Sequence, residues 1–125
     1  MVKWILIGLG GGAGSILRYA MQLGVQRYWE HAFPLATLLV NVLGCALIGL
    51  LTALFYGSTT IREEYRLALT VGVLGGFTTF STFGLEAFNL MLQRRMGIAL
   101  FYVTTSCVVG LIAVWLGWRV GDALR

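Results

Sequence analysis

The stretch GGFTTFSTFG, Gly75 to Gly84, places glycines, four hydroxyl side chains and three phenylalanines inside one of the most apolar segments of the chain. Glycine weakens a helix, and Thr and Ser side chains can hydrogen-bond to nearby backbone carbonyls. The stretch therefore predicts a break in a helix that would otherwise be continuous.

The composition of the chain indicates a membrane protein. Of its 125 residues, 58% are hydrophobic and 11% are charged, whereas about a quarter of the residues of a soluble domain are charged. Long uncharged runs occupy 4–17, 32–61, 67–85 and 96–118, and the first is long enough to cross only if Arg18 lies within the helix. Because about 20 apolar residues span a bilayer, we expect an all-α integral membrane domain, 1–125, with four transmembrane helices near 3–26, 34–56, 66–92 and 97–119.

Within a membrane, the predicted break would free backbone groups that must be buried in protein or line a site. Freed carbonyl oxygens are ligands suited to a cation such as sodium, whereas freed N–H groups and hydroxyls suit an anion. We therefore expect the break, with Thr78, Thr79, Ser81 and Thr82, to contact an ion.

Three other features have simpler interpretations. Lys3 and the apolar run after it could be a secretory signal, but glycines dilute that run and its removal would leave three crossings. The segment GLGGGA, Gly8 to Ala13, fits a loose dinucleotide pattern that is meaningful only in a soluble strand-turn-helix unit. No nucleotide or nucleic acid partner is therefore expected.

Cys45 and Cys107 have no His or acid at metal-ligand spacing, so we expect them to be small core residues.

The basic residues are nearly balanced between the two sides of the membrane. Four crossings place Lys3, Arg62, Arg66, Arg119 and Arg125 on one side, and Arg27, Arg94 and Arg95 on the other, with Arg18 buried or close to the latter. This weak bias permits insertion in both orientations and hence an antiparallel homodimer. Because four helices leave little room for a water-filled cavity, a transport path would lie at the interface of such an oligomer.

A few polar or ionisable side chains are expected at membrane depth, where each is a candidate site residue. Arg18 lies inside a pathway or snorkels to the interface. Asn41 either bonds to another helix or directs its N–H donors into a conduit. Glu86 serves a site or pairs with a basic or hydroxyl group.

Phe80 and Phe83 are three residues apart and share a helix face. They are either ordinary core or lipid-facing rings, or rings whose partly positive edges line an anion path. Ring edges, an amide and hydroxyls supply many weak donors, and conduction requires binding that is easily reversed. This set of donors favours a small anion.

Three motifs carry a resemblance to a known family: GGAGSILRY at Gly11–Tyr19, TLLVNVLG at 37–44, and GVLGGFTTFSTF at 72–83. Over its whole length the chain resembles the Fluc-type (CrcB) fluoride channels. The resemblance implies a non-enzymatic, multi-pass protein of the bacterial inner membrane that exports fluoride passively and so reduces its toxicity. It also implies a dual-topology homodimer with two pores and a central structural sodium.

The same resemblance implies the roles of particular residues. Phe80, Phe83 and Asn41 would line the fluoride path, with hydroxyls from Thr37, Thr79, Ser81 and Thr82 and, on the fourth helix, Tyr102 and Ser106. A second fourth-helix hydroxyl of the family would fall at Gly110. Backbone carbonyls of Gly75 and Thr78 from both subunits would hold the sodium, and Arg18 and Glu86 would have structural or vestibule roles.

A small dual-topology exporter of organic cations is the main alternative. Such a carrier needs a carboxylate within the membrane to bind its cargo. Glu86 is the one candidate, since the first helix has no acid before Glu30. A membrane scaffold without transport would account for the composition but not for Asn41 beside a hydroxyl-rich break.

Overall fold

The computed structural model describes residues 1–125, and all of its regular elements are helical. The all-helical prediction is confirmed. Two long helices come first, α1 (Val2–Gln26) and α2 (Leu35–Phe55). The third helical segment, Glu63–Leu92, is called the composite segment here. It consists of α3 (Glu63–Leu67), a π-helical stretch (Ala68–Val73), α4 (Leu74–Phe77) and α5 (Phe80–Leu92). The last helix is α6 (Met96–Leu124).

Three helical stretches are long and apolar enough to cross a bilayer: Leu35–Phe55, the composite Glu63–Leu92, and Met96–Leu124. The chain is therefore an α-helical, multi-pass membrane protein. Only 19 of its 125 residues are buried within the chain, so most large apolar side chains face outward, toward lipid or another subunit. α1 is not among the three, because Lys3, Arg18 and its many glycines make it less apolar.

The helices pack as two close pairs, α2 with α6 and α1 with the composite segment. In the first pair, a Cβ added to Gly117 would lie 2.0 Å from the carbonyl oxygen of Ala46. In the second pair, a Cβ on Gly14 would lie 2.0 Å from the carbonyl oxygen of Val73. Small residues allow backbones to approach this closely in membrane proteins, and the second contact positions the segment that leads to the break.

Two helix boundaries differ from the predicted spans. The composite segment begins at Glu63 rather than near 66, and Glu63 and Glu64 favour a helix start because acidic residues complement its N-terminal dipole. α6 continues to Leu124 rather than ending near 119. Its last turn is held by Arg125, which donates to the Tyr56 carbonyl oxygen at 3.2 Å and pairs with Asp122 at 2.6 Å.

Candidate functional site

The composite helix breaks at Thr78 and Thr79, which are both extended, with ψ 161° at Thr78 and φ −152° at Thr79. The Thr78 side chain bonds to the C-terminal end of α4, and the Thr79 side chain caps the N-terminus of α5. The Thr78 hydroxyl donates to the Leu74 carbonyl oxygen at 2.9 Å, which completes the end of α4. The Thr79 hydroxyl accepts the Thr82 amide at 3.2 Å, so Thr79 is the N-cap of α5. The break therefore lies within GGFTTFSTFG, as the sequence predicts.

Asn41 on α2 holds the backbone of the break. Its Nδ2 donates to the Thr79 carbonyl oxygen at 2.9 Å, and its Oδ1 accepts the Thr79 amide at 2.9 Å. The side-chain amide thus satisfies both backbone groups of one extended residue. Asn41 forms the interhelical bond that the sequence allowed, and its second Nδ2 hydrogen is not used in this pair of bonds.

α1 also contacts the backbone of the break. Arg18 donates from Nη1 to the Thr78 carbonyl oxygen at 3.4 Å. Ser15 lies 3.5 Å from the Gly76 carbonyl oxygen and donates to it. Arg18 is half-buried and directed at the break, so it supports the freed carbonyls and does not simply extend toward the interface.

A groove of about 390 Å³ runs along the break, between α2, the composite segment and α6. Its lining contains amide, hydroxyl, thiol and aromatic groups but no charged side chain. The lining residues are Asn41, Gly44, Cys45, Ile48, Thr70, Leu74, Gly75, Thr78, Thr79, Phe80, Phe83, Ser106 and Cys107. The Ser106 hydroxyl is buried here without a hydrogen-bond partner in the chain, so its donor is not used within the chain.

Phe80 and Phe83 lie side by side at the start of α5, with ring centroids 5.6 Å apart. Phe80 is 84% exposed, whereas Phe83 packs on Tyr102 with its centroid 5.2 Å from that ring. An aromatic ring as exposed as Phe80, at the edge of a groove, is a surface that a second chain could cover.

A second polar cluster lies behind Phe83 and centres on Glu86. Thr37 donates to Glu86 Oε1 at 2.9 Å, and the Tyr102 hydroxyl donates to Glu86 Oε2 at 2.8 Å. Thr37 and Tyr102 are fully buried. Both carboxylate oxygens therefore have a donor from within the chain, and this cluster adjoins the groove without lining it.

A family model described as CrcB-like protein, Camphor Resistance (CrcB), matches residues 5–118 of this chain. The chain belongs to the CrcB family. This is a family of ion channels, so the expectation that the protein is not an enzyme is confirmed.

Several curated relatives are similar over nearly their full length. "Fluoride-specific ion channel FluC" of Methylobacillus flagellatus is 42% identical over 120 residues, covering 95% of this chain and 94% of the relative. The protein with the same name from Thermus thermophilus is 44% identical over 124 residues, covering 99% and 98%. "Fluoride-specific ion channel FluC 1" of Bacillus cereus is 39% identical over 121 residues, covering 97% and 88%.

In this CrcB chain, the residues singled out from the sequence fall into three places. The groove itself contains Asn41, Gly75, Thr78, Thr79, Phe80, Phe83 and Ser106. Thr37, Glu86 and Tyr102 form the cluster behind Phe83. Thr82 and the exposed Ser81 surround the Thr79 hydroxyl at 3.0 and 3.5 Å, and Arg18 supports the break from α1.

Thr70 and the two cysteines are groove residues that the sequence interpretation missed. The spacing Thr70, Leu74, Thr78 puts the three on one helix face, which is a signal that was available. Both cysteines line the groove, and the prediction that they are core residues is wrong for Cys107, which is exposed. Gly110, where the resemblance implies a second hydroxyl, is buried, and a Cβ there would lie 3.5 Å from Cys45 Sγ.

The carbonyls proposed for sodium have a suitable setting. The Thr79 amide, which would bond to the Gly75 carbonyl in a continuous helix, donates to Asn41 instead, so the Gly75 oxygen is left without an amide partner. Gly75 and Thr78 lie at the C-terminal, negative end of α4, and both residues line the groove. Oxygen ligands at a negative helix end fit a hard cation, although one chain supplies only part of a coordination shell.

Proposed function

We propose that this chain forms a fluoride-specific ion channel through which fluoride leaves the cytoplasm passively. One observation carries the proposal: the polar side chains that line the mostly apolar groove at the helix break are amides, hydroxyls and thiols, and none of them is charged. The relatives named as fluoride-specific ion channels, which share up to 44% identity with the chain, support the choice of ion.

The groove offers donors of a kind that suits a small anion. The start of α5 presents its first backbone N–H groups at the break, as any helix N-terminus does. Asn41 has an N–H hydrogen left over, and the Ser106 hydroxyl has no partner in the chain. Phe80 and Phe83 add partly positive ring edges. Each of these donors is weak, which permits an anion to bind and leave rapidly.

An electrical gradient is sufficient to drive this transport. Hydrogen fluoride crosses membranes as a neutral weak acid and ionises in a near-neutral cytoplasm, which traps fluoride inside. An inside-negative potential favours the exit of one anion by about 2.3 kcal/mol per 100 mV. A selective path therefore lowers the fluoride concentration in the cytoplasm without an energy-coupling site.

The channel is proposed to be an antiparallel, dual-topology homodimer in the bacterial inner membrane. In it α1 serves as a fourth crossing, beside the three apolar spans. The near balance of basic residues supports insertion in both orientations. The exposed Phe80 and the open groove support a second subunit that covers them. Each groove would then form one of two pores at the subunit interface.

A structural sodium is proposed at the centre of this dimer. Gly75 and Thr78 of each subunit would hold it through backbone carbonyls, and Arg18, which donates to the Thr78 oxygen, would fix that carbonyl in place. Bound there, sodium would offset the negative ends of the two α4 helices. The position of the carbonyls at the break, beside the groove, supports this assignment.

Organic-cation export through Glu86 is not favoured by the structure. Both oxygens of its carboxylate already accept hydrogen bonds, from Thr37 and Tyr102. Glu86 also lies outside the groove lining. A cationic cargo would have to break this cluster and reach behind Phe83.

A growth experiment tests the proposed function in cells. The chain is expressed in a bacterium that lacks its own fluoride exporter, and growth is measured in acidic medium containing sodium fluoride or, as control, sodium chloride. We expect the chain to restore growth in fluoride and to have no effect in chloride. Sensitivity to fluoride that is unchanged despite confirmed membrane insertion would contradict the proposal.

A further inference from the structure

A second cavity continues from the groove toward the ends of the helices. It has a volume of about 350 Å³ and is called the end cavity here. Its lining residues are Thr52, Phe55, Tyr56, Gly57, Arg66 and Thr70. Thr70 lines both the groove and the end cavity, so the two spaces adjoin along one side of the composite segment.

The positions of these residues along the helices also indicate a continuous track. On α2, Ile48 lines the groove and Thr52, one turn later, lines the end cavity. On the composite segment, Thr70 is one turn from Arg66. Twelve residues separate Arg66 from Thr78, which corresponds to about 18 Å of helix. The end cavity therefore adjoins the groove on the side of the 58–61 loop.

Arg66 is a fixed positive charge in the end cavity. Its Nε donates to the Ile61 carbonyl oxygen at 3.3 Å, Nη2 donates to the Ser58 carbonyl oxygen, and the guanidinium carbon lies 6.0 Å from the centroid of the Phe55 ring. These contacts orient the side chain but leave further N–H donors unused.

Unlike several other basic residues at the same end of the helices, Arg66 has no carboxylate partner. Lys3 pairs with Glu63, Arg62 with Glu64, and Arg125 with Asp122. The charge of Arg66 is not offset in this way, and Arg66 is half-buried. It is thus available to attract an anion to the end of an otherwise uncharged track.

We propose that the end cavity is a low-affinity site for a small inorganic anion, where Arg66 raises the local anion concentration before the anion reaches the groove. The inference rests on the proposed function and adds to it the residue that recruits the ion. The Thr52 and Thr70 hydroxyls already donate to the Ile48 and Arg66 carbonyl oxygens, so the unused N–H groups of the Arg66 guanidinium are the donors that replace part of the water of the anion.

The expected size of the effect follows from a single charge near the mouth of a path. For an anion held about 5 Å from the guanidinium in water, attraction raises its local concentration about threefold at ~0.01 M salt. Screening reduces the enrichment to about twofold at ~0.15 M and to nearly none at ~1 M. Recruitment by Arg66 therefore predicts an effect on flux that depends on ionic strength.

The test compares fluoride flux in liposomes for the wild-type chain and three variants, at low fluoride and at ionic strengths of about 0.01 and 1 M. Arg66→Gln removes the charge, and Arg66→Lys keeps it while changing the bonds to the 58–61 loop. Arg62→Gln is the matched control, because it removes a charge from the same end but lies outside both cavity linings.

We expect Arg66→Gln to reduce flux about threefold at low salt and by less than about 1.5-fold at high salt. Arg66→Lys and Arg62→Gln should stay close to wild type. Equal loss in Arg66→Gln and Arg66→Lys, or a loss that high salt does not reduce, would overturn recruitment and leave Arg66 as an anchor for the loop. Unchanged flux in Arg66→Gln would also overturn it, whereas absence of fluoride flux in the wild type would instead contradict the proposed function.

Discussion

Replacing Asn41 with Leu should loosen the helix break, because Leu has a similar size but cannot bond to the Thr79 backbone. The substitution removes two hydrogen bonds, each of 2.9 Å. A net contribution of about 1 kcal/mol for each bond gives a loss of about 2 kcal/mol for local opening at the break. Since 1.4 kcal/mol is a tenfold change in an equilibrium constant, the break should open about 30 times more often.

Hydrogen exchange measures this opening at a single amide. The Thr79 N–H donates directly to Asn41, so its exchange rate should rise about 30-fold in Asn41→Leu. This factor assumes a net contribution of about 1 kcal/mol for each of the two hydrogen bonds. Peptides from the middle of α6 should exchange as in the wild type.

Asn89→Leu is the matched control, because Asn89 is exposed on α5 and lies outside the groove lining. Equal Thr79 exchange rates in Asn41→Leu and Asn89→Leu would refute the claim that Asn41 holds the break. A rise spread evenly over the whole chain would also contradict it, because that result would mean global destabilisation.

Three further predictions concern the groove, the cation site and the packing of α1. Phe80→Ile and Phe83→Ile should each reduce fluoride flux in liposomes while the dimer persists in detergent, and unchanged flux in both variants would argue against the assigned path. Thr78→Ser should retain the sodium dependence of thermal unfolding, because the proposed ligand is the backbone oxygen; loss of that dependence would remove the carbonyl assignment. Gly14→Ala should lower the melting temperature strongly, since its Cβ would lie 2.0 Å from the Val73 carbonyl oxygen. Gly12→Ala should leave the melting temperature unchanged, because nothing lies within 4 Å of a Cβ at that position. Equal melting temperatures for the two variants would contradict the close contact of α1 with the composite segment.

The sequence predicted those features that depend on local chemistry. The break at Thr78 and Thr79 follows from glycines and hydroxyls that compete with helical hydrogen bonds over a few residues. The apolar runs likewise located the helices, because length and hydrophobicity determine what can span a bilayer. The sequence predicts that α6 ends near 119, whereas the helix continues to Leu124, where Arg125 donates to the carbonyl oxygen of Tyr56, a residue distant in the sequence.

Features that depend on contacts between distant residues could not be predicted from local patterns. The sequence indicates Asn41 as a candidate, but nothing in α2 indicates that its partner is the backbone of Thr79. Likewise, the sequence predicts that Glu86 serves a site or pairs with a basic or hydroxyl group, and only the packing of α2, α5 and α6 identifies Thr37 and Tyr102 as its partners. The sequence predicts a core position for Cys107, which is exposed, because an apolar neighbourhood in the sequence does not show which helix face remains open.

Fluoride efflux from liposomes containing the purified dimer tests the central claim most directly. A fluoride electrode follows release after valinomycin allows potassium to leave with the anion, and chloride-loaded vesicles serve as the control. The account predicts rapid fluoride release and no chloride release. Folded dimer that releases no fluoride, or that releases chloride equally fast, would contradict the claim that the uncharged groove at the helix break is a fluoride-selective path.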